Sequence, residues 1–391
     1  MSFISIMRIW LATLLLYVAT GFVFPIFPIY MSYRGLTPFQ IGLVASIATL
    51  SSILPIALIS RFSDMMDREK VQCIIGIGLA LLVPLYICLN SLISFIIAHS
   101  AYMVLAYSYM TLSGAIAMDY IKTSRGSGFG KFRTSGAVGW VLGTFFSGWV
   151  VEEAGFSMVF AISSFFFCVS AFLFYLRGLR GRISDPGIKA LSSLYIDAFK
   201  EVISNDAVYP LLLAVFTASL TTPAYYTFLP LYMTKELKAS KFLSSLAFTI
   251  TPFAEIPAMI YLGALSDKIG RRKVIAVCLM AYPLRYLLTV LVGNPVLVII
   301  VQLLHGLTFG GLYVVSVAHL SDSVPEDMKG IVLGLYTIFM SLGSFIGNYL
   351  MGFIVNGFGF TLMYFIAAIL SSLSIPILAT LSRRGNSMSF N

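Results

Sequence analysis

Three ionisable residues stand inside long uncharged stretches of the second half of the chain: Glu255, Arg285 and His305. Counted from the nearest loop signals at 1.5 Å per helical residue, Glu255 and Arg285 lie about 12 Å and 18 Å from one end of their helices. His305 lies about 15 Å from the other end of its helix. The three side chains are therefore expected at one depth, on three successive apolar segments.

A carboxylate, a guanidinium and an imidazole at one depth can couple a proton to a movement. The acid is ionised while Glu255 is beside Arg285 and becomes neutral when the two separate, and His305 can carry a proton at physiological pH. Ionisable groups within apolar spans are costly to bury and usually have a function. We interpret the trio as a proton-coupling or solute-contacting group; the alternative is a static buried ion pair with a hydrogen-bonded histidine.

The elements that carry these residues must cross a membrane. Of the 391 residues, 59% are apolar and only 10% are charged, and the mean hydropathy is +0.94. These values exclude a water-soluble globular protein. Because about 20 apolar residues span a hydrocarbon core of about 30 Å, the uncharged windows predict twelve transmembrane helices in an all-α membrane protein. The windows are 9–31, 38–60, two within 71–118, 130–151, 157–177, 208–234, 242–262, two within 274–320 and two within 330–382.

The positive charges predict the orientation of these spans. Of the 25 Lys and Arg residues, twenty fall in segments on the side of Met1 and four fall in loops on the other side, while Arg285 lies within a span. Such a bias places both termini in the cytoplasm. It also accounts for the net charge of +9 without nucleic acid as a partner.

An offset of about two hundred residues aligns the first half of the chain with the second. Pro28-Ile29-Tyr30-Met31 recurs as Pro230-Leu231-Tyr232-Met233, and the glycines at 139, 143, 148 and 155 recur at 343, 347, 352 and 359. This repeat predicts a six-helix bundle over 1–177, a cytoplasmic linker over 178–205 and a second six-helix bundle over 206–391. Two such halves are the plan of transporters that rock around a site near the bilayer midplane.

The loop between spans 8 and 9 carries the most specific local motif of the chain, Gly263-Ala-Leu-Ser-Asp267-Lys-Ile-Gly270-Arg271-Arg272-Lys273. It resembles the loop signature of the major facilitator superfamily. Gly263 would allow close helix packing, Gly270 would permit a tight turn, and Asp267 could pair in one conformation and separate in another. In the first half, Asp64 is the counterpart of Asp267. The residues that we assign to this predicted conformational latch are Asp64, Gly263, Asp267, Gly270, Arg271 and Arg272.

The start of span 5, Phe129-Gly-Lys-Phe-Arg133-Thr-Ser-Gly-Ala-Val-Gly-Trp140, resembles the same segment of the lactose permease-like branch of oligosaccharide–proton and nucleoside–proton symporters. The resemblance implies that Arg133 contacts a sugar and that Trp140 lies under its ring. This branch also has a glutamate, an arginine and a histidine in spans 8, 9 and 10. Two of its acids are missing here, because Thr308 and Ala115 stand in their places. Without the resemblance, Arg133 reads equally well as an interfacial arginine and Trp140 as a packing aromatic.

Two further features lie in spans 7 and 5, and only the first concerns the predicted cavity. Tyr225 and Tyr226 in span 7 could line it, and we count them with Arg133 and Trp140 as candidate substrate-binding residues. Gly139 and Gly143 in span 5 partly resemble the signature of proton-driven drug antiporters, but the expected proline is replaced by Thr144. Close helix packing is the favoured interpretation of these glycines.

No enzyme signature is present in the sequence. The stretch 126–131 has the wrong spacing for a phosphate-binding loop, so no nucleotide is expected, and HExxH and GxSxG are absent. Neither a metal nor a cofactor is predicted. The four cysteines lie in apolar stretches and receive no role.

The sequence therefore predicts a monomeric, multi-pass protein of the cell membrane that works as a secondary active transporter. Its partners would be a small organic solute, a proton and the lipid bilayer. Symport that imports a sugar-like or nucleoside-like solute is favoured. The alternatives are a proton-driven antiporter that exports drugs or metabolites, and a non-transporting sensor or scaffold with the same fold.

Overall fold

The computed structural model describes residues 3–121, 125–176 and 204–380, and all regular structure in these residues is helical. Helices satisfy every backbone hydrogen bond within one segment, as a hydrocarbon solvent requires. Helix ends occur where polar capping residues interrupt the apolar runs. Thr37 and Ser91 each form a reciprocal capping box, and Asn294 accepts hydrogen bonds from two backbone N–H groups at the start of its helix.

Seven helices form the first half of the described chain: α1 (Phe3–Val23), α2 (Ile26–Tyr33), α3 (Pro38–Met65), α4 (Arg68–Leu85), α5 (Leu92–Tyr120), α6 (Arg125–Glu153) and α7 (Gly155–Tyr175). A short 3₁₀-helix, Tyr86–Cys88, extends α4.

The helices of the second half are more often interrupted. They are α8 (Tyr209–Ser219), α9 (Pro223–Tyr226), α10 (Leu229–Leu231), α11 (Lys241–Thr249), α12 (Thr251–Ile269), α13 (Arg271–Leu291), α14 (Pro295–Val301), α15 (Leu312–Asp322), α16 (Lys329–Ser372) and α17 (Ser374–Thr380). Tyr232–Glu236 and Gly306–Gly311 are π-helices, while Gln302–Leu304 and Glu326–Met328 are 3₁₀-helices.

Ten described segments are long and apolar enough to cross a membrane, and one of them, Lys329–Ala379, has 51 residues. At 1.5 Å per residue that segment is about 75 Å long, more than twice the hydrocarbon core of about 30 Å. Gly359, with φ of 85°, breaks it. Helix α3 has 28 residues, of which Pro38–Ile53 is a shorter apolar stretch. The predicted all-α membrane fold is confirmed, and these lengths are compatible with the twelve predicted spans.

The described chain divides into two compact units, while the predicted division into two six-helix bundles stays a prediction. Pro230–Thr249 belongs with the first half of the chain, while 204–229 and 250–380 form the second unit. The chain therefore passes from the first unit to the second between α11 and α12, which are separated by Ile250 alone. Most of the predicted linker, 178–203, lies outside the described residues.

Equivalent glycines of the predicted repeat make equivalent contacts in the two units. A β-carbon at Gly139 or Gly143 would collide with the carbonyl oxygens of Leu14 or Val18 on α1. A β-carbon at Gly343 would lie 2.5 Å from the carbonyl oxygen of Phe216 on α8, and one at Gly347 would collide with that of Leu220. Glycine is required at these four positions because the helices approach backbone to backbone.

Ion pairs repeat in the same way. Arg68 at the start of α4 binds Asp119 near the end of α5, with 2.7 Å between Nη1 and Oδ2. Arg271 at the start of α13 binds Asp322 at the end of α15, with 2.6 Å between Nε and Oδ2. Each arginine precedes its partner by 51 residues, so the two halves close the same end of a helix pair with the same interaction.

Candidate functional site

The structure brings the three predicted coupling residues together within the second unit. His305 lies between the other two: its Nε2 is 3.0 Å from Oε1 of Glu255, and its Nδ1 is 2.8 Å from Nη1 of Arg285. Arg285 and His305 are buried, with 3% and 5% of their surfaces exposed, whereas the Glu255 side chain keeps 22% exposed. Glu255 and Arg285 are thus linked through the imidazole ring.

The direction of these hydrogen bonds follows from the chemistry of arginine. A guanidinium has donors only, so Nδ1 of His305 accepts the hydrogen bond from Arg285. The ring proton is then on Nε2, and the imidazole is neutral and donates to Glu255. The carboxylate can be ionised in this arrangement without touching Arg285.

Two neutral residues that the sequence analysis did not assign as coupling residues complete the coordination of Arg285. Oε1 of Gln302 accepts from Nε at 3.0 Å and from Nη2 at 2.7 Å, while the Gln302 amide donates to the carbonyl of Val298 at 2.9 Å. Oγ1 of Thr308 accepts from Nη1 of Arg285 at 3.0 Å. Thr308, which stands where the resemblance expects an acid, thus supplies a neutral acceptor instead.

Span 10 leaves the regular α-helical path where these residues lie. Gln302–Leu304 form a 3₁₀ turn and Gly306–Gly311 a π-helix, a distortion that is frequent at functional sites. A β-carbon at Gly306 would lie 2.5 Å from the carbonyl oxygen of Ala254, the residue before Glu255. Gly306 therefore lets span 10 approach α12 closely enough for His305 to reach Glu255.

Aromatic rings surround the cluster. The ring of Tyr225 lies under the Arg285 guanidinium, with 4.0 Å from Cζ to the ring centroid, a cation–π geometry. The ring centroids of Tyr225 and Tyr226 lie 4.8 Å and 5.9 Å from that of His305. Phe309 stacks on His305 at 5.3 Å. The two predicted substrate tyrosines thus belong to the same cluster as the predicted coupling residues.

Arg285 borders a pocket in the second unit that is too narrow to hold a water molecule. Its lining consists of Tyr225, Leu229, Arg285, Tyr286, Thr289, Gln302 and Tyr364. Two of these tyrosines are held in place by their hydroxyls: Tyr286 donates to the carbonyl of Thr221 at 2.9 Å, and Tyr364 donates to that of Ala224 at 3.1 Å. Aromatic faces and hydroxyls therefore flank the guanidinium.

The two candidate residues on span 5 belong to the first unit. Arg133 is exposed. The Trp140 indole N–H donates to the carbonyl of Phe248 at 3.3 Å, and its ring lies 5.0 Å from that of Phe24 between centroids. Trp140 therefore has the packing contacts that were the alternative interpretation, and the sugar-contact roles of Arg133 and Trp140 stay predictions.

A row of close contacts continues from Trp140 along α6 and joins it to α11. The hydroxyls of Thr144 and Thr249 are 2.9 Å apart, and those of Ser147 and Ser245 are 3.3 Å apart. Oε1 of Glu152 accepts from the backbone N–H of Phe242 at 3.2 Å. We name this set of contacts the α6–α11 seam.

The loop signature forms a turn with an ion-pair network. Gly270 has φ of 98°, so the predicted tight turn is present, and only glycine adopts it without strain. Arg271, which follows, binds Asp267 at 3.0 Å between Nη1 and Oδ1 as well as Asp322. Arg272 lines an open cleft with Gly270, Arg271 and Asp322.

Other parts of the predicted latch fit less well. A β-carbon at Gly263 would meet Cγ1 of Val314 at 3.5 Å, an ordinary contact, so the expectation that this glycine permits close helix packing is not supported. Asp64 lies in α3, but its side chain is outside the part of the chain that the structure describes. The latch role of the whole set stays a prediction.

Within the described residues, no group of three or more His, Cys, Asp or Glu side chains could hold a metal ion.

His99, the histidine of span 4, is hydrogen-bonded through Nδ1 to the Tyr86 hydroxyl at 2.9 Å. It therefore has the contacts of a satisfied interior histidine.

An all-helical chain of apolar spans with an ionisable cluster buried among them defines the class of multi-pass membrane transporters. The sequence pattern of the MFS_1 like family matches residues 6–366. The chain belongs to this family of transporters, which are not enzymes, and the predicted membership of the major facilitator superfamily is confirmed. It is a multi-pass protein of the cell membrane.

Known proteins of similar sequence extend over almost the whole chain. The uncharacterized MFS-type transporter YuxJ of Bacillus subtilis is 22% identical, over 92% of this chain and 94% of its own. The multidrug resistance protein MdtG of Salmonella arizonae is 23% identical, over 92% and 90%. Among solved structures, a mutant form of the nucleoside transporter NupG has a TM-score of 0.83 at 15% identity, over 96% of this chain and 99% of its own. The structural likeness shows a shared fold.

Proposed function

We propose that this MFS transporter couples solute movement to protons and that Glu255, His305 and Arg285 form the coupling group. The observation that carries the proposal is the continuous hydrogen-bonded series from Glu255 through His305 to Arg285. It lies on three spans that the sequence places at one depth of the membrane. Alternating access around such a site is the common mechanism of transporters built from two repeats.

The neutral imidazole makes the series sensitive to a single proton. If His305 gains a proton on Nδ1, that atom can no longer accept from Arg285, and two cations then lie side by side. If Glu255 gains a proton, the negative charge that offsets Arg285 is lost. The first event breaks a contact between spans and the second weakens one by removing its charge, which is how a proton can bias one conformation over the other.

We propose two candidates for the solute and for the direction in which it is transported. The resemblance of span 5 to the lactose permease-like branch favours import of a sugar-like or nucleoside-like solute, with Arg133, Trp140, Tyr225 and Tyr226 as contacts. The similarity to a protein named for multidrug resistance favours efflux as the second candidate. The sign of the pH gradient that accumulates the solute separates import from efflux.

The test is transport by purified protein in proteoliposomes with and without an imposed pH gradient. Glu255→Gln should abolish gradient-driven accumulation but leave exchange of solute across the membrane intact, because exchange need not release the proton. Glu326→Gln is the matched control: Glu326 is an exposed carboxylate that binds Lys329, and its replacement should leave accumulation unchanged.

Two outcomes would overturn parts of this proposal. Undiminished accumulation by Glu255→Gln would remove Glu255 from the coupling role. Absence of any solute flux across a panel of sugars, nucleosides, organic acids and cationic drugs, with or without the gradient, would favour the non-transporting sensor or scaffold.

A further inference from the structure

The guanidinium of Arg285 is buried without a carboxylate as its direct partner. It donates hydrogen bonds to the amide oxygen of Gln302, to Nδ1 of His305 and to the hydroxyl of Thr308, all of them neutral. Among the described residues it forms no ion pair, since Glu255 binds the far side of His305. A buried cation normally pairs with an anion because burial of an isolated charge is costly.

The edge of Arg285 that best fits an anion is occupied by an uncharged group. A carboxylate binds arginine most strongly with two parallel hydrogen bonds along one edge of the guanidinium. Here Nε and Nη2, which form such an edge, both donate to the single oxygen Oε1 of Gln302. Gln302 thus occupies this edge with one neutral oxygen, and a carboxylate that displaced it would supply two oxygens and the missing charge.

The pocket beside that edge is closed in this conformation, and its side chains have the chemistry to hold an organic acid when it opens. It is lined by Arg285, Gln302, Thr289, Leu229 and three tyrosines, and these lining residues, all in the described part of the chain, include no acid. Tyrosine faces can contact an apolar or sugar-like body while the guanidinium binds a charged head.

The net charge beside this edge of Arg285 depends on whether Glu255 carries a proton. With Glu255 ionised, Arg285 and Glu255 sum to zero, while protonation of Glu255 leaves one uncompensated positive charge in the cluster. Resting on the proposed proton coupling, we propose that the solute is an organic monoanion whose carboxylate binds the Nε and Nη2 edge of Arg285 when Glu255 is protonated. One proton and one monoanion then cross together, and the cycle moves no net charge.

The first test uses three matched pairs of probes in proteoliposomes: glucuronate with glucose, lactate with propane-1,2-diol, and nicotinate with nicotinamide. A pH gradient and a potassium-valinomycin membrane potential are imposed separately, and protein-free liposomes give the passive background. We expect an acid, and not its neutral partner, to accumulate in response to the pH gradient and to ignore the membrane potential.

The second test supplies the missing charge from within the protein. Thr308→Glu places a carboxylate next to Arg285, and Thr308→Gln adds the same bulk without the charge. We expect Thr308→Glu to weaken binding of the accumulated acid about tenfold or more relative to Thr308→Gln. Gln302→Glu, which is isosteric with the wild-type residue, should act like Thr308→Glu, so the test does not depend on one variant folding normally.

The outcomes separate this inference from the proposed function. Gradient-driven accumulation of a neutral probe, or stimulation of an acid's uptake by the membrane potential, would overturn the monoanion and leave proton coupling in place. Equal binding by Thr308→Glu and Thr308→Gln would remove Arg285 as the carboxylate site. If no acid and no neutral probe accumulates above the protein-free background, both the proton-coupled function and the monoanion are rejected.

Discussion

Gly306 is packed tightly against the backbone of a neighbouring helix in the candidate site. A β-carbon there would lie 2.5 Å from the carbonyl oxygen and 2.8 Å from the carbonyl carbon of Ala254, so the backbones of span 10 and α12 would have to move apart. We expect Gly306→Ala to destabilise the protein by about 1–3 kcal/mol through overpacking. The same movement lengthens the contact between His305 and Glu255, so proton-driven accumulation should fall as well.

The control for Gly306→Ala is Gly334→Ala. Gly334 is an exposed residue of α16, and an added β-carbon would meet no atom within 4 Å. Removal of a helical glycine at such a site should stabilise the protein by up to about 1 kcal/mol. Melting temperatures in detergent measure both effects, and an unchanged melting temperature for Gly306→Ala would show that span 10 is not held against α12 in this way.

Sequence reasoning at this scale finds charged residues more easily than neutral ones. Glu255, Arg285 and His305 were predictable because an ionisable side chain in an apolar window is conspicuous. Gln302 was not predicted, because a neutral amide carries no such signal. Its spacing of three residues from His305 offered the only clue, and the distorted helix at 302–311 obscured the face that the two residues share.

At the scale of elements, span 8 behaves as two helices with different neighbours. Helix α11 packs on α6 within the first unit, and α12 carries Glu255 in the second. The sequence showed one uninterrupted apolar window over 242–262 and hence one span, since hydropathy does not report which unit each half of a helix contacts. The α6–α11 seam is therefore a feature that only the packing of side chains revealed.

The seam offers a test of movement between elements. Ser147 and Ser245 are buried, with their hydroxyls 3.3 Å apart, so cysteines at both positions should form a disulfide on oxidation. Because span 8 belongs to the second sequence repeat, rocking of the repeats should separate α11 from α6 in the opposite conformation. We expect oxidation of Ser147→Cys/Ser245→Cys to stop transport and a reductant to restore it.

The cross-linking experiment needs a chain in which the four native cysteines are replaced by alanine, because Cys88 and Cys168 are exposed. Each single variant, Ser147→Cys or Ser245→Cys, should keep its transport rate under the same oxidant. Full transport by the oxidised double variant, with the disulfide verified by mass spectrometry, would show that the seam stays closed throughout the cycle.

At the scale of the whole molecule, the duplication predicted from sequence extends to the contacts. Gly139 and Gly143 contact α1, as Gly343 contacts α8 and Gly347 contacts the residue that follows α8, and the pair Arg68–Asp119 matches Arg271–Asp322. These matches were predictable in outline because glycines and charges recur at a nearly constant offset. The seam has no such pattern to reveal it, because it joins segments from opposite halves of the sequence.

The repeat and the distribution of Lys and Arg predict the topology, which labelling can test. If Gly359 separates two spans, Asn356 lies on the outer face, whereas Lys268 and Glu326 lie in the cytoplasm. In intact cells that express the cysteine-free chain, a membrane-impermeant maleimide should label Asn356→Cys at once. It should label Lys268→Cys and Glu326→Cys only after lysis.

Labelling of Asn356→Cys and Glu326→Cys on the same side would contradict a turn at Gly359, because Lys329–Ala379 would then not cross the membrane twice. Reversed labelling of all three would contradict the predicted cytoplasmic termini.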